Sequence, residues 1–279
     1  MADGQQFENG ETIMSTDEAA LILERDGPVA VIINNDAPMN RMTLEFIDQL
    51  EQAITQLAGD KSVRAIIIRG AGDKNFSVGM NLKQLGEGIE QKGGIDALLD
   101  QRLQVLSMIE SLEKPVIAVL CGYCLGGGLE LPLACHFRLA AKEGTQIGLP
   151  ELDIGTVPAW GGTARLTRCV GRDRALDIIL RAKKISGPTA LEIGLVQEVW
   201  PNEILQQKAL DLAHELAAMP PYSVAGVLQC VVGAEHLPLD EALAVERQVV
   251  HKVSTGKHQR EGIMAFLEKR KPDFSTDPD

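Results

Sequence analysis

The stretch Val116–Cys135, VIAVLCGYCLGGGLELPLAC, holds the residues best suited to chemistry. Gly126, Gly127 and Gly128 let backbone N–H groups approach a ligand with no side chain in the way. Glu130 stands three residues after the middle glycine, about one helical turn, so its carboxylate can share a rim with the Gly127 N–H. The apolar segment that follows has the character of a helix, whose N-terminus adds unpaired N–H groups and a partial positive charge. An anion-stabilising donor beside a carboxylate suits general acid–base chemistry on a carbonyl compound. A triple glycine can also serve tight packing alone. The apolar company of Glu130 (Leu129, Leu131, Leu133, Ala134) favours the chemical reading, because carboxylates seldom sit in such surroundings without a role.

The elements that must position this stretch alternate in type. Val116–Cys121 reads as a short buried strand ending at Gly122. Before it, Ala20–Glu24 and Val29–Asn34 are strand-like around the turn Arg25-Asp26-Gly27-Pro28. Thr43–Leu57 has helical spacing, with Phe46, Leu50, Ile54 and Leu57 on one stripe and Thr43 as N-cap. Val63–Arg69 is a buried strand, and a mobile glycine-bearing segment is expected up to about Gly94. Ile95–Leu112 is read as a long helix burying Leu99, Leu103, Leu106 and Ile109. After the Glu130 helix, Phe137–Ala141 and Thr145–Gly148 are extended, Arg172–Arg181 and Ser186–Leu191 helical, and Val196–Val199 a short strand. From Glu203 the pattern is almost all helix. Strands alternating with helices predict parallel βαβ units in an α/β fold.

The 279 residues, 45% hydrophobic and 24% charged, fit one globular chain with a sizeable core. A net charge of −12 opposes a general nucleic-acid surface. No run of eighteen apolar residues predicts a membrane span, and the acidic N-terminus lacks the pattern of a signal peptide. An odd count of five cysteines, with no such signal, fits reduced thiols and a cytoplasmic setting. Cys121-x-x-Cys124 has no second CxxC or histidine pair to complete a metal site, so no metal is expected. His136 is read as structural. The expected organisation is a flexible tail over 1–15, a core over 16–200 and a helical region over 201–279 that assembles the protein.

Three stretches together resemble the crotonase (enoyl-CoA hydratase/isomerase) family: Asn75–Leu82 (NFSVGMNL), Gly122–Cys135 (GYCLGGGLELPLAC) and Gln146–Leu166 (QIGLPELDIGTVPAWGGTARL). Glu261–Phe274 looks like that family's C-terminus, and the likeness runs in order and spacing from about Ala20 to Phe274. The resemblance implies a spiral of repeated ββα units followed by helices that build a homotrimer or a dimer of trimers. It implies an acyl-CoA thioester substrate, with coenzyme A as part of the substrate and no separate cofactor. It puts two oxyanion-hole N–H groups on Met80 and Gly127 and two catalytic glutamates on Glu130 and Glu151. Substrate and CoA contacts are suggested for Ala37, Pro38, Met80, Asn81, Leu82, Lys83, Gly126, Trp160, Phe266 and Lys269, the last two reaching a neighbouring subunit's ligand.

The chain also departs from the family pattern. Met80-Asn81 replaces the commoner Ala-Asp, His136 stands where Asp is usual, and Trp160 where a small residue is typical. Asp153 adds a carboxylate two residues past Glu151; strand-like alternation would put both on one face, whereas a turn would separate them. The expected activity is hydration of a 2-enoyl-CoA or its reverse, with Glu130 as base toward water and Glu151 as acid. The alternatives are double-bond isomerisation of an enoyl- or dienoyl-CoA and a non-catalytic RNA-binding homologue. The acidic balance and the paired glutamates oppose the latter.

Overall fold

The computed structural model describes residues 11–14, 19–254 and 256–275. Strand β1 (Glu11–Met14) pairs antiparallel with β2 (Leu21–Asp26), which pairs antiparallel with β3 (Val29–Asn34). Glu11–Met14 therefore departs from the expected unstructured tail over 1–15: four of its residues add an edge strand, and residues 1–10 lie outside those described. Helix α1 (Leu44–Gly59) starts as the sequence predicts, with the Thr43 hydroxyl accepting the Phe46 N–H at 3.0 Å. Strand β4 (Ala65–Gly70) follows, parallel to β3.

The segment expected to be mobile is instead a 3₁₀ turn, Leu82–Gln84, running into α2 (Leu85–Lys92). Gly86 and Gly88 weaken the helical signal, but Gly88 serves packing: a Cβ there would lie 2.7 Å from a Leu44 methyl. Helix α3 (Ile95–Glu110) buries Leu98, Arg102, Val105, Leu106 and Ile109. Its inward stripe is thus rotated from the expected one, and Leu103 is exposed.

Next come β5 (Val116–Leu120), β6 (Tyr123–Leu125), α4 (Gly127–Leu133), β7 (Phe137–Ala141) and β8 (Gln146–Gly148). A 3₁₀ turn over Glu151–Ile154 leads to α5 (Gly162–Val170), α6 (Arg172–Leu180), α7 (Gly187–Glu192) and β9 (Glu198–Trp200). The main sheet has the order β1-β2-β3-β4-β5-β7-β9, parallel from β3 onward. A second, shorter stack runs beside it: the Met42–Met80 bridge, the Ser77–Cys124 bridge and the parallel β6–β8 pair. Each turn of the chain gives one long strand to the sheet, one short extended piece to this stack, and then helix. That repetition is a ββα spiral, and on successive turns it pairs Met42 with Met80, Ser77 with Cys124 and Cys124 with Ile147.

The last elements are α8 (Asn202–Ala217), α9 (Pro221–Leu228) with a π turn over Gln229–Gly233, α10 (Leu239–Val253) and α11 (Lys257–Glu268). Leu205, Ala209, Leu210, Ala213 and Ala217 of α8 pack on Val29, Val31, Ile67, Ile117 and Leu139, on the sheet face opposite α1 and α3. The expected boundary at residue 200 falls between β9 and α8. Pro201 punctuates the chain, but α8 is the back wall of the core. Among the described residues no single helix is long and apolar enough to cross a membrane.

Candidate active site

Two short-stack turns meet at the glycines. Ser77 donates its N–H to the Tyr123 carbonyl at 3.0 Å and accepts the Leu125 N–H at 3.0 Å, clamping its segment to β6. Its hydroxyl accepts the Gly79 N–H at 3.0 Å. Gly79 has φ +91°, and a Cβ there would lie 2.7 Å from the Leu125 carbonyl oxygen and 3.2 Å from the Gly127 nitrogen. Only glycine permits that approach. The backbone of Gly79-Met80 is therefore laid against that of Gly126-Gly127. The Met42 N–H donates to the Gly79 carbonyl and the Asn81 N–H to the Met42 carbonyl, so Met80 is held from both sides. Among the described residues neither the Met80 N–H nor the Gly127 N–H has a protein acceptor.

Glu130, on α4, is only 2% exposed. Its Oε1 accepts two backbone N–H groups, Trp160 at 2.7 Å and Gly162 at 2.8 Å. Burial pushes its pKa up to about 7, against the pull of those two bonds, with the charge of Glu151 adding to the rise. Glu151 opens the 3₁₀ turn after Pro150, and its carboxylate lies against Gly126. A Cβ on Gly126 would lie 3.1 Å from Glu151 Oε1. Glu151 Oε2 is buried with no protein partner, and burial raises this carboxyl's pKa as well. The spiral has thus brought two desolvated carboxylates and two unpaired N–H groups around one stretch of backbone.

Trp160 closes one wall. Its ring lies so close to Gly127 that a Cβ there would sit 2.6 Å from Cζ3. Arg165 fixes this loop, donating to the Trp160 carbonyl at 3.1 Å while pairing with Glu110 at 2.8 Å. Arg165 was invisible in the sequence, where it reads as one more helical cation. Arg102 was missed for a different reason: it lies on the face of α3 that the expected stripe placed outward. It is buried beside the Trp160 ring, 5.9 Å from its centroid.

Other expected residues divide. The loop bearing Ala37 and Pro38 is tied to the Met80 side, since Asn75 Nδ2 donates to the Pro38 carbonyl at 2.8 Å and the Val78 N–H to the Met39 carbonyl at 3.1 Å. Ala37, Pro38, Leu82 and Lys83 are exposed and Asn81 is half-buried. Phe266, 82% exposed, and Lys269 lie on and just after α11, and within one chain nothing described brings them to the glutamates. Asp153 is exposed and the 3₁₀ turn separates it from Glu151. His136 Nδ1 accepts the Val116 N–H at 3.0 Å and Nε2 faces the Glu110 carbonyl at 3.2 Å, so it ties β5 to α3. Cys124 Sγ donates to the Gly128 carbonyl under the glycine turn, and all five thiols are free.

A family model described as enoyl-CoA hydratase/isomerase matches residues 24–277. The chain belongs to this crotonase family. It is 38% identical over 258 residues to a probable enoyl-CoA hydratase of Bacillus subtilis, covering 91% of this chain and 98% of that one. It is 33% identical to the 2,3-dehydroadipyl-CoA hydratase of Escherichia coli, covering 95% and 98%. Among solved structures, the enoyl-CoA hydratase of Bacillus anthracis superimposes with TM-score 0.87 at 33% identity, over 92% of this chain and all of that one. One from Geobacillus kaustophilus gives 0.89 at 29%, over 96% and 99%. The ββα spiral described above is thus the crotonase fold.

Proposed function

We propose that this enzyme adds water across the 2,3 double bond of an enoyl-CoA thioester, or removes it in reverse. The observation that carries this reading is the pair of desolvated carboxylates, buried Glu130 and half-buried Glu151 with its Oε2 shielded, beside the unpaired N–H groups of Met80 and Gly127. The thioester oxygen accepts both N–H groups, which stabilise negative charge as it develops; one such donor is typically worth about 3 kcal/mol of barrier. Glu130 takes a proton from water, and the water oxygen bonds to C3. The electrons of the double bond move to C2 and onto the thioester oxygen. Glu151 gives its proton to C2, and proton exchange between the two carboxyls and solvent restores the starting state. A base whose pKa is near 7 suits this task at neutral pH. Oxyanion donors and carboxylates supply everything the reaction needs, so this reading calls for no cofactor beyond the substrate's own CoA.

The exposed loop at Ala37-Pro38 and the Asn81–Lys83 turn are the proposed CoA rim, with Gly126 and Trp160 on the acyl side. We also propose a homotrimer or a dimer of trimers built by the C-terminal helices, where Val231, Leu239, Phe266 and Leu267 are exposed. In such an assembly Phe266 and Lys269 would serve a neighbour's ligand. Five free cysteines support a cytoplasmic setting. The test is crotonyl-CoA. Loss of enoyl absorbance with an equal yield of 3-hydroxybutyryl-CoA supports hydration. A shifted double bond with no hydroxyl product would replace hydration by isomerisation.

A further inference from the structure

Two arginines of the core, Arg102 and Arg138, are nearly buried, and they differ in how they are satisfied. Arg138 spends Nε on the Leu195 carbonyl at 2.7 Å and Nη1 on the Pro132 and Cys135 carbonyls at 3.2 and 2.6 Å. Arg102, 2% exposed, donates only Nη1, to the Leu98 carbonyl at 3.1 Å and to Gln101 Oε1 at 2.9 Å. Its Nε is buried with no partner. Both acceptors are neutral, and among the described residues no carboxylate lies within ion-pair distance of it. Asp48, the carboxylate that acts on it from farther off, is already engaged by Lys92 at 2.8 Å and Gln101 at 2.7 Å. A buried guanidinium with a free donor is costly unless an anion completes it.

Its location suggests which anion. The indole of Trp160 lies against Gly127 and has its centroid 5.9 Å from the Arg102 guanidinium carbon. An extended acyl chain advances about 1.25 Å per carbon–carbon bond, so four to six carbons cover roughly the breadth of that indole. We infer that Arg102 receives the far end of the acyl group, and that the preferred substrates are 2-enoyl-CoA thioesters whose acyl chain of about four to six carbons ends in a carboxylate. A guanidinium is the group suited to a carboxylate, because its planar fork of N–H groups donates to the two oxygens together. The Trp160 ring lies within cation–π range of that guanidinium, 5.9 Å from centroid to Cζ.

This rests on the enoyl-CoA reading above, and the experiment separates the two. For the wild-type enzyme, kcat/KM is measured on trans-2-hexenedioyl-CoA and on trans-2-hexenoyl-CoA. Binding of the saturated, unreactive hexanedioyl-CoA and hexanoyl-CoA is measured by calorimetry. The carboxylate-ended member should be favoured by about 10- to 100-fold in both, the scale of one charged hydrogen-bonded contact. Arg102→Met should cut that ratio at least about tenfold, and Arg102→Lys, which keeps the charge and loses the fork, should fall between. A wild-type ratio near one, or a ratio that Arg102→Met leaves unchanged, overturns the inference. If Arg102→Met does not fold, the wild-type ratios and Arg102→Lys still decide it. Binding of hexanedioyl-CoA in preference to hexanoyl-CoA that Arg102→Met abolishes, with no turnover of either enoyl thioester, would uphold Arg102's role and overturn hydration instead.

Discussion

Glu130→Gln should destroy activity and stabilise the protein. The carboxyl moves from about 4.5 in the unfolded chain to about 7 in the fold. A raised carboxyl pKa means the folded state binds more protons than the unfolded state between those values. Stability then falls as pH rises through that window and levels off above pH 7. The full penalty, 2.5 units at 1.36 kcal/mol each, is about 3 kcal/mol, and about 2.5 kcal/mol of it develops between pH 5 and pH 8. Glutamine keeps a carbonyl for the Trp160 and Gly162 N–H groups and cannot ionise. Denaturant unfolding at both pH values should therefore give a gap between variant and wild type that is about 2.5 kcal/mol wider at pH 8 than at pH 5. The same variant should lose about 10²–10⁴-fold in kcat. The wild-type kcat/KM should rise with pH through about 7 as the base ionises, and the residual activity of the variant should not. A gap that does not change with pH would refute the account of Glu130 as a desolvated, titrating base.

The remaining expectations concern its neighbours. Glu151→Gln should lower kcat by about 10²–10⁴-fold with little change in thioester affinity; near-normal hydration would remove Glu151 from proton transfer. Gly127→Ala would drive a methyl into the Trp160 ring, so kcat should fall and the near-ultraviolet dichroism of the indole should change together. Trp160→Ala should shift relative kcat/KM toward bulkier acyl groups while costing about 3–5 kcal/mol of stability, and a fixed specificity ratio would mean that the ring does not face the acyl group. Truncation after Pro201 removes the helix covering the back of the sheet and should yield insoluble protein; a soluble, folded fragment recovered by gel filtration would contradict the packing described for α8.

Motif-bearing residues were legible before the fold because their types are chemically restrictive. Glycines at 126 and 127 must admit a close approach, and a glutamate among leucines must be held by something. Thr43 was equally plain, since a cap is a local contract between a hydroxyl and an N–H three residues on. What escaped was settled by contacts distant in sequence. The two glycines of α2 argue for a loop, yet Leu44 and Leu98 occupy the space that Gly88 leaves. Arg102 argued for solvent, and only the rotation of α3 puts it inside. Pro201 looked like the edge of a domain, yet apolar spacing alone cannot tell a helix that lies on a sheet from one that awaits another subunit.

Trp160 divides its labour between two parts of one residue. Its N–H grips Glu130, and that grip depends on the path of the loop and on Arg165 at the Trp160 carbonyl, whatever side chain is attached. The indole meanwhile shapes the space beside Gly127. Substrate range and proton transfer are therefore separable at this position. A lineage, or an engineer, can exchange the indole for another side chain and retune which acyl groups are accepted, while the atoms that aim the base stay where they are.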